Sequence, residues 1–138
     1  MAAACRFCDI ITALDVYVVH DSEVAVAFLD HRPVFKGHVL LVPHEHYETL
    51  TDLPDSLIEP LFTTAKNLAR AIETGLGADG TFVAINNRVS QSVPHLHIHI
   101  VPRKRKDGLR GFFWPRTKYA GEEEMVQYME RIRVALEP

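Results

Sequence analysis

The sequence predicts a fold of mixed α and β structure, because β-rich runs and stretches with helical periodicity both occur along it. The helical stretches cover about residues 55–74 and 121–136. The β-rich runs cover residues 16–20, 24–30, 38–43, 81–86 and 95–101. A length of 138 residues is enough for a single domain with one substantial core.

Composition excludes several function classes. The net charge of −3 provides no electrostatic basis for binding nucleic acid or a membrane surface. No apolar run approaches the length that spans a bilayer, and residues 1–4 lack the basic start and apolar middle of a secretion signal. We therefore expect no nucleic-acid partner, no membrane partner and a cytoplasmic protein.

The first two β-rich runs predict a hairpin around residues 20–23. Asp30 ends the second strand, where a carboxylate can cap a turn or accept hydrogen bonds from a ligand diol. His38 enters the third strand as its only polar residue, which in isolation favours a hydrogen-bonded core histidine. The pattern alone therefore leaves Asp30 as either a turn cap or a ligand contact, and it does not exclude a functional role for His38.

Apolar residues recur at spacings of three and four between Asp55 and Thr74, as in a helix that covers one face of a sheet. Asp52 or Asp55 can cap its start. Because proline removes a backbone donor, Pro60 predicts that the regular helix begins only near Glu59. Residues 75–77 (Gly-Leu-Gly) predict its end, and three glutamates at 122–124 suit the first turn of the last helix.

Both cysteines lie in a Cys5-x-x-Cys8 motif within a predicted short helical turn at residues 5–13. The spacing suits a metal knuckle, and redox chemistry or a pair of buried thiols are the alternatives. A metal site needs more ligands. His44 and His46 follow the third strand, where a loop can fold over the knuckle.

Three histidines, His95, His97 and His99, alternate with aliphatic residues. In an extended strand they share one face, and the aliphatic residues face the core. Such a row of imidazoles suits a solvated face, a metal site or catalysis, since imidazole titrates near neutrality and can act as a nucleophile or proton carrier. The spacing favours catalysis over the other two.

Polar and aromatic segments flank this strand. Asn86, Gln91 and Ser92 are ordinary turn residues, but beside three imidazoles they can also position a phosphoryl oxygen or a leaving group. The basic run at 103–106 is a solvated surface or a phosphate-attracting rim. The aromatic loop at 111–116 can close over a ligand or pack at an interface.

The segment Gln-Ser-Val-Pro-His-Leu-His-Ile-His-Ile-Val at 91–101 resembles the signature of the histidine-triad (HIT) family. The resemblance extends to residues 28–30, to residues 37–43 and to the Cys-x-x-Cys motif of the bacterial type. It covers roughly residues 5–105, which we take as the histidine-triad domain. Residues 106–138 form a C-terminal loop and helix extension of the same domain.

The resemblance implies an α+β unit with a mainly antiparallel sheet of about five strands and two main helices, usually forming a homodimer. It also implies a nucleotide hydrolase or nucleotidyl transferase that acts at the α-phosphate. The expected substrates are a dinucleoside polyphosphate or a nucleoside phosphoramidate, with a purine base. A covalent nucleotidyl-His97 intermediate would release a nucleoside monophosphate.

The family's functional residues carry over by position. His97 matches the nucleophile, His99 a contact of the α-phosphate and His38 a histidine that completes the catalytic relay. Asp30 matches the position that holds the ribose hydroxyls. The remaining matches are Asn86, Gln91 and Ser92 for the phosphate and leaving group, and Phe7, Ile10 and Phe28 for the base pocket.

Some bacterial members hold a structural zinc ion, and the resemblance assigns its ligands to Cys5, Cys8, His46 and His95, with His44 as the rival for His46. A Cys₂His₂ set fills a tetrahedral site and leaves no open position. Zinc is therefore expected to stabilise the fold without taking part in the reaction.

The sequence departs from the family pattern at a few positions. Arg6 and His31 stand where the base pocket is often apolar, and a short connection at 87–90 leaves the roles of Asn86 and Asn87 exchangeable. His99 ends the triad, which fits the hydrolase branches and not the uridylyltransferase-like branch, where glutamine stands. Two other functions stay open: a nucleotide-binding or protein-interaction module with slow hydrolysis, and a metal-storage or metal-sensing protein.

Overall fold

The computed structural model of the chain describes residues 4–14, 16–109 and 116–136. They group into two units, one that ends at Asp107 and one that begins at Gly108. The first unit contains the sheet and all of the candidate site residues. Of the predicted aromatic loop at 111–116, residues 111–115 lie outside the described residues.

The α+β class is confirmed, and every predicted helix and strand has a counterpart. The hairpin of the first two strands and the short helix at the Cys-x-x-Cys motif are also present. A 3₁₀ turn, Leu50–Asp52, precedes the long helix. In chain order the elements are α1 (Arg6–Ala13), β1 (Val18–Asp21), β2 (Ala25–Leu29), β3 (Val39–Pro43), α2 (Asp55–Leu76), β4 (Gly80–Ala84), β5 (Ile98–Arg103) and α3 (Glu122–Leu136).

The five strands of the described chain form one antiparallel sheet in the order β1-β2-β3-β5-β4. The histidine-bearing strand β5 is therefore covered on both edges. In the register, His99 lies opposite Leu40 of β3 and opposite Ala84 of β4. The strand that carries the last triad histidine is thus held rigidly in the middle of the sheet.

Alternation along the strands builds a hydrophobic layer on each face of the sheet. One layer joins Ala27, Leu41 and Ile98 to buried residues of α2. The other joins Val26, Phe28, Leu40 and Val42 to Cys5, Phe7 and Ile10 of the α1 region. The large helix α2 and the small helix α1 consequently cover opposite faces, and the α1 layer is the one next to the triad side chains.

Helix α2 begins at Asp55, after Pro54 as its N-cap, so the predicted start near Glu59 is wrong. Pro60 is accommodated inside the helix. Its missing N–H leaves the carbonyl of Ser56 without an intrahelical donor, and because Ser56 is exposed, water can supply one. Packing of the neighbouring Leu61, which is fully buried, holds the helix through this turn.

The ladder of β5 begins at Ile98, so the predicted strand over 95–101 starts three residues too early. His95 and His97 lie in the approach to the strand, where the N–H of Leu96 donates to the carbonyl of Tyr47 at 2.6 Å. Alternation nevertheless continues through this segment, because Leu96 and Ile98 are both fully buried in the α2 layer.

The second unit contains helix α3, whose first turn carries Glu122, Glu123 and Glu124, as the sequence predicts. Its apolar side chains, such as Met125 and Ile132, are exposed. None of the helices in the described ranges combines the length and apolar character that crossing a membrane requires.

Candidate functional site

A cleft of about 450 Å³ opens on the α1 side of the sheet. Its walls come from α1, from the end of β2 and from the approach to β5. The residues that line it are Arg6, Phe7, Ile10, Val16, Tyr17, Phe28, Leu29, Asp30, His31, Leu40, Ser92, Val93, His97 and His99. The structure therefore brings together seven predicted site residues, three of them aromatic or aliphatic and four polar.

His97 is 3% exposed and has one ring nitrogen occupied by the backbone. Its Nδ1 lies 2.7 Å from the carbonyl oxygen of His95. Because a carbonyl can only accept, Nδ1 carries the proton of the neutral ring, and Nε2 of that neutral ring keeps its lone pair. The side chain lines the cleft, so the sequence folds it into the tautomer of a nucleophile or a base.

The tautomers of His38 and His99 follow from a chain of donors. The N–H of Val34 donates to Nδ1 of His38 at 3.1 Å, which leaves the proton of that neutral ring on Nε2. This Nε2 lies 2.9 Å from Nδ1 of His99 and donates to it. His99 must then hold its own proton on Nε2. Since His99 lines the cleft and His38 lies behind it, this series of hydrogen bonds ends in one N–H donor, the Nε2–H of His99.

Burial keeps the imidazole rings of His38 and His99 uncharged near neutral pH. It lowers the pKa of His38, an effect that the carboxylate of Asp30 partly opposes. The pKa of His99 is lowered to about 4, mainly by burial and additionally by the neighbouring rings of His97 and His38. His99 is thus a neutral hydrogen-bond donor at pH 7.

Asp30 serves both of the interpretations that the sequence left open. Its Oδ1 accepts a hydrogen bond from the N–H of Arg32 at 2.9 Å, which is the turn cap. The side chain also lines the cleft, and its Oδ2 lies 3.7 Å from Nδ1 of His38. Because that nitrogen already accepts from Val34, the contact is not an ion pair. One carboxylate oxygen therefore has acceptor capacity left.

The three polar turn residues have different surroundings. Ser92 lines the cleft, whereas Asn86 and Gln91 are not among its described lining residues. Gln91 holds the loop instead, donating to the carbonyl of Glu48 at 2.7 Å and accepting from the N–H of Arg88 at 2.8 Å. Asn87 accepts from the N–H of Leu50 at 2.9 Å. Asn86 is exposed.

A second cluster lies beside the cleft and consists of Cys5, Cys8, His46 and His95, whose ligand atoms lie within 4.8 Å of one another. Sulfur to nitrogen distances are 3.5 Å for Cys5 to His95, 3.3 Å for Cys8 to His46 and 3.5 Å for Cys8 to His95. A tetrahedral zinc ion with ordinary bond lengths would separate sulfur and nitrogen by about 3.6 Å. The residues present therefore fit a metal ion of this type.

The tautomer of His95 supports the fit. Its Nε2 lies 2.9 Å from the carbonyl oxygen of Pro43 and must donate to it, so Nδ1 faces the thiols without a proton. His44 is excluded as the fourth ligand, because its ring is turned toward Asp21, 3.0 Å away. Burial and the neighbouring Cys5 raise the pKa of the Cys8 thiol to about 11 in the metal-free cluster.

Asp30, His38 and His99 also bring three ligand atoms within 4.8 Å. Here, however, both nitrogens of His38 are already engaged, with Val34 and His99. His38 and His99 therefore form a hydrogen-bonded pair beside Asp30, and this group is not a metal site.

Comparison with known proteins agrees with this geometry. The family model described as the HIT domain matches residues 12–106 of the chain. The chain belongs to the HIT family.

Relatives in this family extend over most of the chain. A HIT-like protein of Saccharolobus solfataricus is 34% identical over 136 residues, which are 96% of this chain and 94% of the relative. A protein of Saccharomyces cerevisiae named adenosine 5'-monophosphoramidase is 33% identical, with 78% of this chain and 68% of the relative covered.

Solved HIT-type structures match over nearly the full length. A crystal structure of a Streptococcus mutans protein superposes with a TM-score of 0.87 at 28% identity, covering 99% of this chain and 88% of that one. A structure described as a Zn-bound histidine triad family protein from Mycobacterium smegmatis has a TM-score of 0.72 at 30% identity, with 96% and 97% covered. The five-stranded antiparallel sheet is therefore the HIT fold.

Some backbone groups and side chains in the site were not predictable from the sequence. The N–H of Val34 and the carbonyl of Pro43 set two tautomers, yet backbone atoms give no residue-type signal. Tyr17 lines the cleft from the turn before β1, where its contact depends on the fold. Arg6 and His31, noted only as departures from the family pattern, both reach the cleft.

Proposed function

We propose that the protein is a nucleotide hydrolase that cleaves at the α-phosphate of a purine nucleotide through a covalent nucleotidyl-His97 intermediate. The observation that supports this most directly is the tautomer of His97, whose Nδ1 is bonded to the His95 carbonyl at 2.7 Å. A nucleophile needs an unprotonated nitrogen in a fixed orientation, and Nε2 of His97 has both properties.

The reaction has two displacements. In the first, the lone pair of His97 Nε2 forms a bond to the α-phosphorus, and the bond from phosphorus to the leaving group breaks with its electron pair. An amine leaving group takes up a proton as it departs. In the second, a water oxygen attacks the phosphorus, loses a proton and expels Nε2, which regains its lone pair. The product is a nucleoside monophosphate.

Neighbouring groups match the charges that develop. The Nε2–H of His99 donates to a phosphoryl oxygen, and the hydroxyl of Ser92 lines the same cleft. The bond from His97 Nδ1 to the His95 carbonyl offsets the positive charge that the imidazole gains on attack. His38 acts through His99 as a positioning residue, because it fixes that ring's proton on the cleft side.

The remaining cleft residues suit a nucleoside. Phe7, Ile10 and Phe28 form an apolar wall for a base, and the free oxygen of Asp30 suits the ribose hydroxyls. We assign Gln91 to holding the loop that carries Ser92, since both ends of its amide are bonded to backbone groups. Asn86 remains our proposed contact on the leaving-group side.

Names of relatives support hydrolysis and suggest leaving groups. One from Schizosaccharomyces pombe is named bis(5'-nucleosyl)-tetraphosphatase (asymmetrical) and is 35% identical over 92 residues, half of its length. One from Arabidopsis thaliana is named adenylylsulfatase and is 32% identical over 108 residues, 55% of its length. With the yeast monophosphoramidase, these names span polyphosphate, sulfate and amine leaving groups.

The test is an intact-mass time course with diadenosine tetraphosphate, adenylyl sulfate and adenosine phosphoramidate. The parent protein should gain one adenylyl group transiently, and His97→Ala should gain none. The fastest of the three substrates identifies the leaving group. Absence of the adduct together with equal turnover in both proteins would contradict the mechanism and favour a nucleotide-binding module.

We also propose that the second cluster holds a structural zinc ion, bound by Cys5, Cys8, His46 and His95. When bound, zinc would supply a tetrahedral crosslink between α1, the loop after β3 and the approach to β5. The fit of the sulfur to nitrogen distances supports this proposal. Metal analysis of protein purified without added metal should find about one zinc per chain.

A homodimer remains a proposal from the family resemblance. Strand β4 lies at an edge of the sheet in the described chain, and its Val83 is 46% exposed. Pairing of two β4 edges would continue the sheet across the dimer. Light scattering after gel filtration should give twice the mass of the chain, and a monomer at all concentrations would contradict the proposal.

A further inference from the structure

The metal cluster and His97 are joined by two residues that belong to both. The first is His95. Its Nδ1 lies 3.5 Å from each of the two thiols, and its main-chain carbonyl accepts the bond from His97 Nδ1 at 2.7 Å. Restraint of His95 by the cluster therefore acts on the same residue whose carbonyl fixes the His97 tautomer.

The second shared residue is Phe7, which lies between the two cysteines in α1. Its ring makes an edge-to-face contact with His97, with 5.0 Å between centroids and 87° between planes. It also contacts the ring of His95 at 6.0 Å and that of Phe28 at 5.6 Å. Because Phe7 is 5% exposed, it has little freedom to adjust once the cysteines are held in place.

Helix α1 depends strongly on the cluster for its position. It has eight residues, and isolated helices of that length are unstable in water. Within the part of the chain that the structure describes, its hydrogen-bonding contacts with other elements are those of Cys5 and Cys8 with His46 and His95. Apolar packing of Phe7 and Ile10 supplies the remaining contacts with the sheet.

We infer that the Cys5, Cys8, His46 and His95 cluster is a positioning element for His97: a bound metal ion holds His95 and Phe7, and these hold the imidazole in its reactive tautomer and orientation. The inference rests on the proposed function for its consequence in catalysis, but its structural part concerns His97 alone. A cluster that merely stabilised the fold would change the melting temperature and leave His97 unaltered.

The test uses His46→Ala, because His46 is an exposed ligand that contacts His95 and does not line the cleft. The matched control is His44→Ala, which removes a nearby imidazole bonded to Asp21 and leaves the cluster intact. Metal content, far-ultraviolet circular dichroism and the rate of adenylyl-His97 formation are measured for both variants and the parent. The same measurements on chelated parent protein, before and after zinc is restored, provide a second route.

The readout independent of activity is the tautomer of His97, observed through long-range ¹⁵N–¹H correlations in histidine-labelled protein. The parent and His44→Ala should show the Nδ1-protonated form alone. Folded His46→Ala, without metal, should show a mixture of tautomers. Its adduct should form roughly tenfold more slowly or less, with KM changed by no more than about twofold, since misplacement of a nucleophile lowers the rate of the chemical step.

The outcomes separate the inference from the proposed function. If the parent forms no adduct and His97→Ala turns over as fast as the parent, the proposed function fails, and the tautomer comparison still decides the coupling. If metal-free His46→Ala and chelated parent keep the parent's tautomer and adduct rate, the coupling is overturned while the function stands. If both proteins lose their fold without metal, the cluster is a general requirement for folding and the specific positioning role is overturned as well.

Discussion

His95 bonds in two directions at once: its carbonyl accepts from Nδ1 of His97 at 2.7 Å, and its ring nitrogen Nδ1 lies 3.5 Å from the thiol of Cys5. The first and second triad histidines therefore have separate tasks although they are two residues apart. Alternation puts both side chains on the same face of the chain, and the fold around them directs one to the cysteines and the other to the cleft.

Replacement of His97 by alanine should abolish the covalent intermediate. We expect kcat/KM to fall by roughly a thousandfold or more, because the nucleophile cannot be supplied by another group in the same position. Steady-state kinetics with the best of the three adenylyl substrates measures this. The control is His20→Ala, which removes an exposed imidazole from β1. Comparable losses in both variants would contradict the assignment.

Replacement of Asp30 by asparagine should weaken discrimination between ribose and 2'-deoxyribose substrates. The turn should persist, because the amide oxygen can still accept from Arg32. Loss of a charged acceptor for the ribose hydroxyls corresponds to about a tenfold decrease in kcat/KM for the ribonucleotide. The ratio of kcat/KM for the two sugars measures the effect. An unchanged ratio would remove Asp30 from the sugar site.

Stability should fall as the pH falls from about 6.5 toward 4, in part because of His99. Its pKa is lowered from 6.5 to about 4 on folding, so the unfolded chain binds this proton more readily between those values. The stabilising contribution is thus complete above pH 6.5 and is lost on acidification. Urea unfolding of His99→Gln at several pH values, with zinc held constant, should show a smaller dependence on pH than the parent.

The matched control for that experiment is His20→Gln, since His20 is exposed. Its pH dependence should match that of the parent. If His99→Gln has the parent's slope as well, the acid sensitivity arises elsewhere.

Zinc binding should release protons. The Cys8 thiol has a pKa of about 11 without metal and is protonated at pH 7, yet only a thiolate binds the ion. Titration calorimetry in two buffers of different ionisation enthalpy should therefore show at least one proton released per zinc, and affinity that increases with pH. Cys8→Ser should release about one proton fewer per zinc, because the Cys5 thiol remains, whereas His44→Ala should release as many as the parent. A buffer-independent enthalpy would contradict the thiolate ligand.

Replacement of Gly37 by alanine should destabilise the fold. Gly37 has a φ of 99° just before His38, and a Cβ there would overlap the side chain of Leu76. Because Leu76 is 54% exposed and its side chain can move aside, the left-handed strain is the main cost, about 1–2 kcal/mol of unfolding free energy. The control is Gly75→Ala in α2, where a Cβ meets no atom within 4 Å and helix propensity favours alanine. Urea unfolding of both variants measures the difference.

Side-chain alternation made much of this fold predictable. Leu96, Ile98 and Ile100 take the α2 face because a period of two admits no other allocation once one face is buried. Helix α2 was predictable over most of its length for the same kind of reason. Its first turn was not, because tertiary packing of Leu61 outweighs the local effect of Pro60.

For the candidate site, the sequence and the fold provide different information. The residue types and spacing of the cysteines and the triad already indicated a thiol and imidazole metal site beside a nucleophilic histidine. The fold agrees with the resemblance in bringing His46, and not its rival His44, to Cys8, because the ring of His44 is turned toward Asp21.

Tertiary structure alone also decides the tautomers of four histidine rings, those of His38, His95, His97 and His99. The donors and acceptors that fix them belong to the backbone of Val34, Pro43 and His95 and to the ring of His38. Every residue has a backbone carbonyl and nearly every residue a backbone N–H. Residue types therefore do not show which backbone group will hydrogen-bond to a given imidazole. The sequence determines which chemical groups are available and on which face they lie, and long-range folding determines which nitrogen of each histidine is left to react.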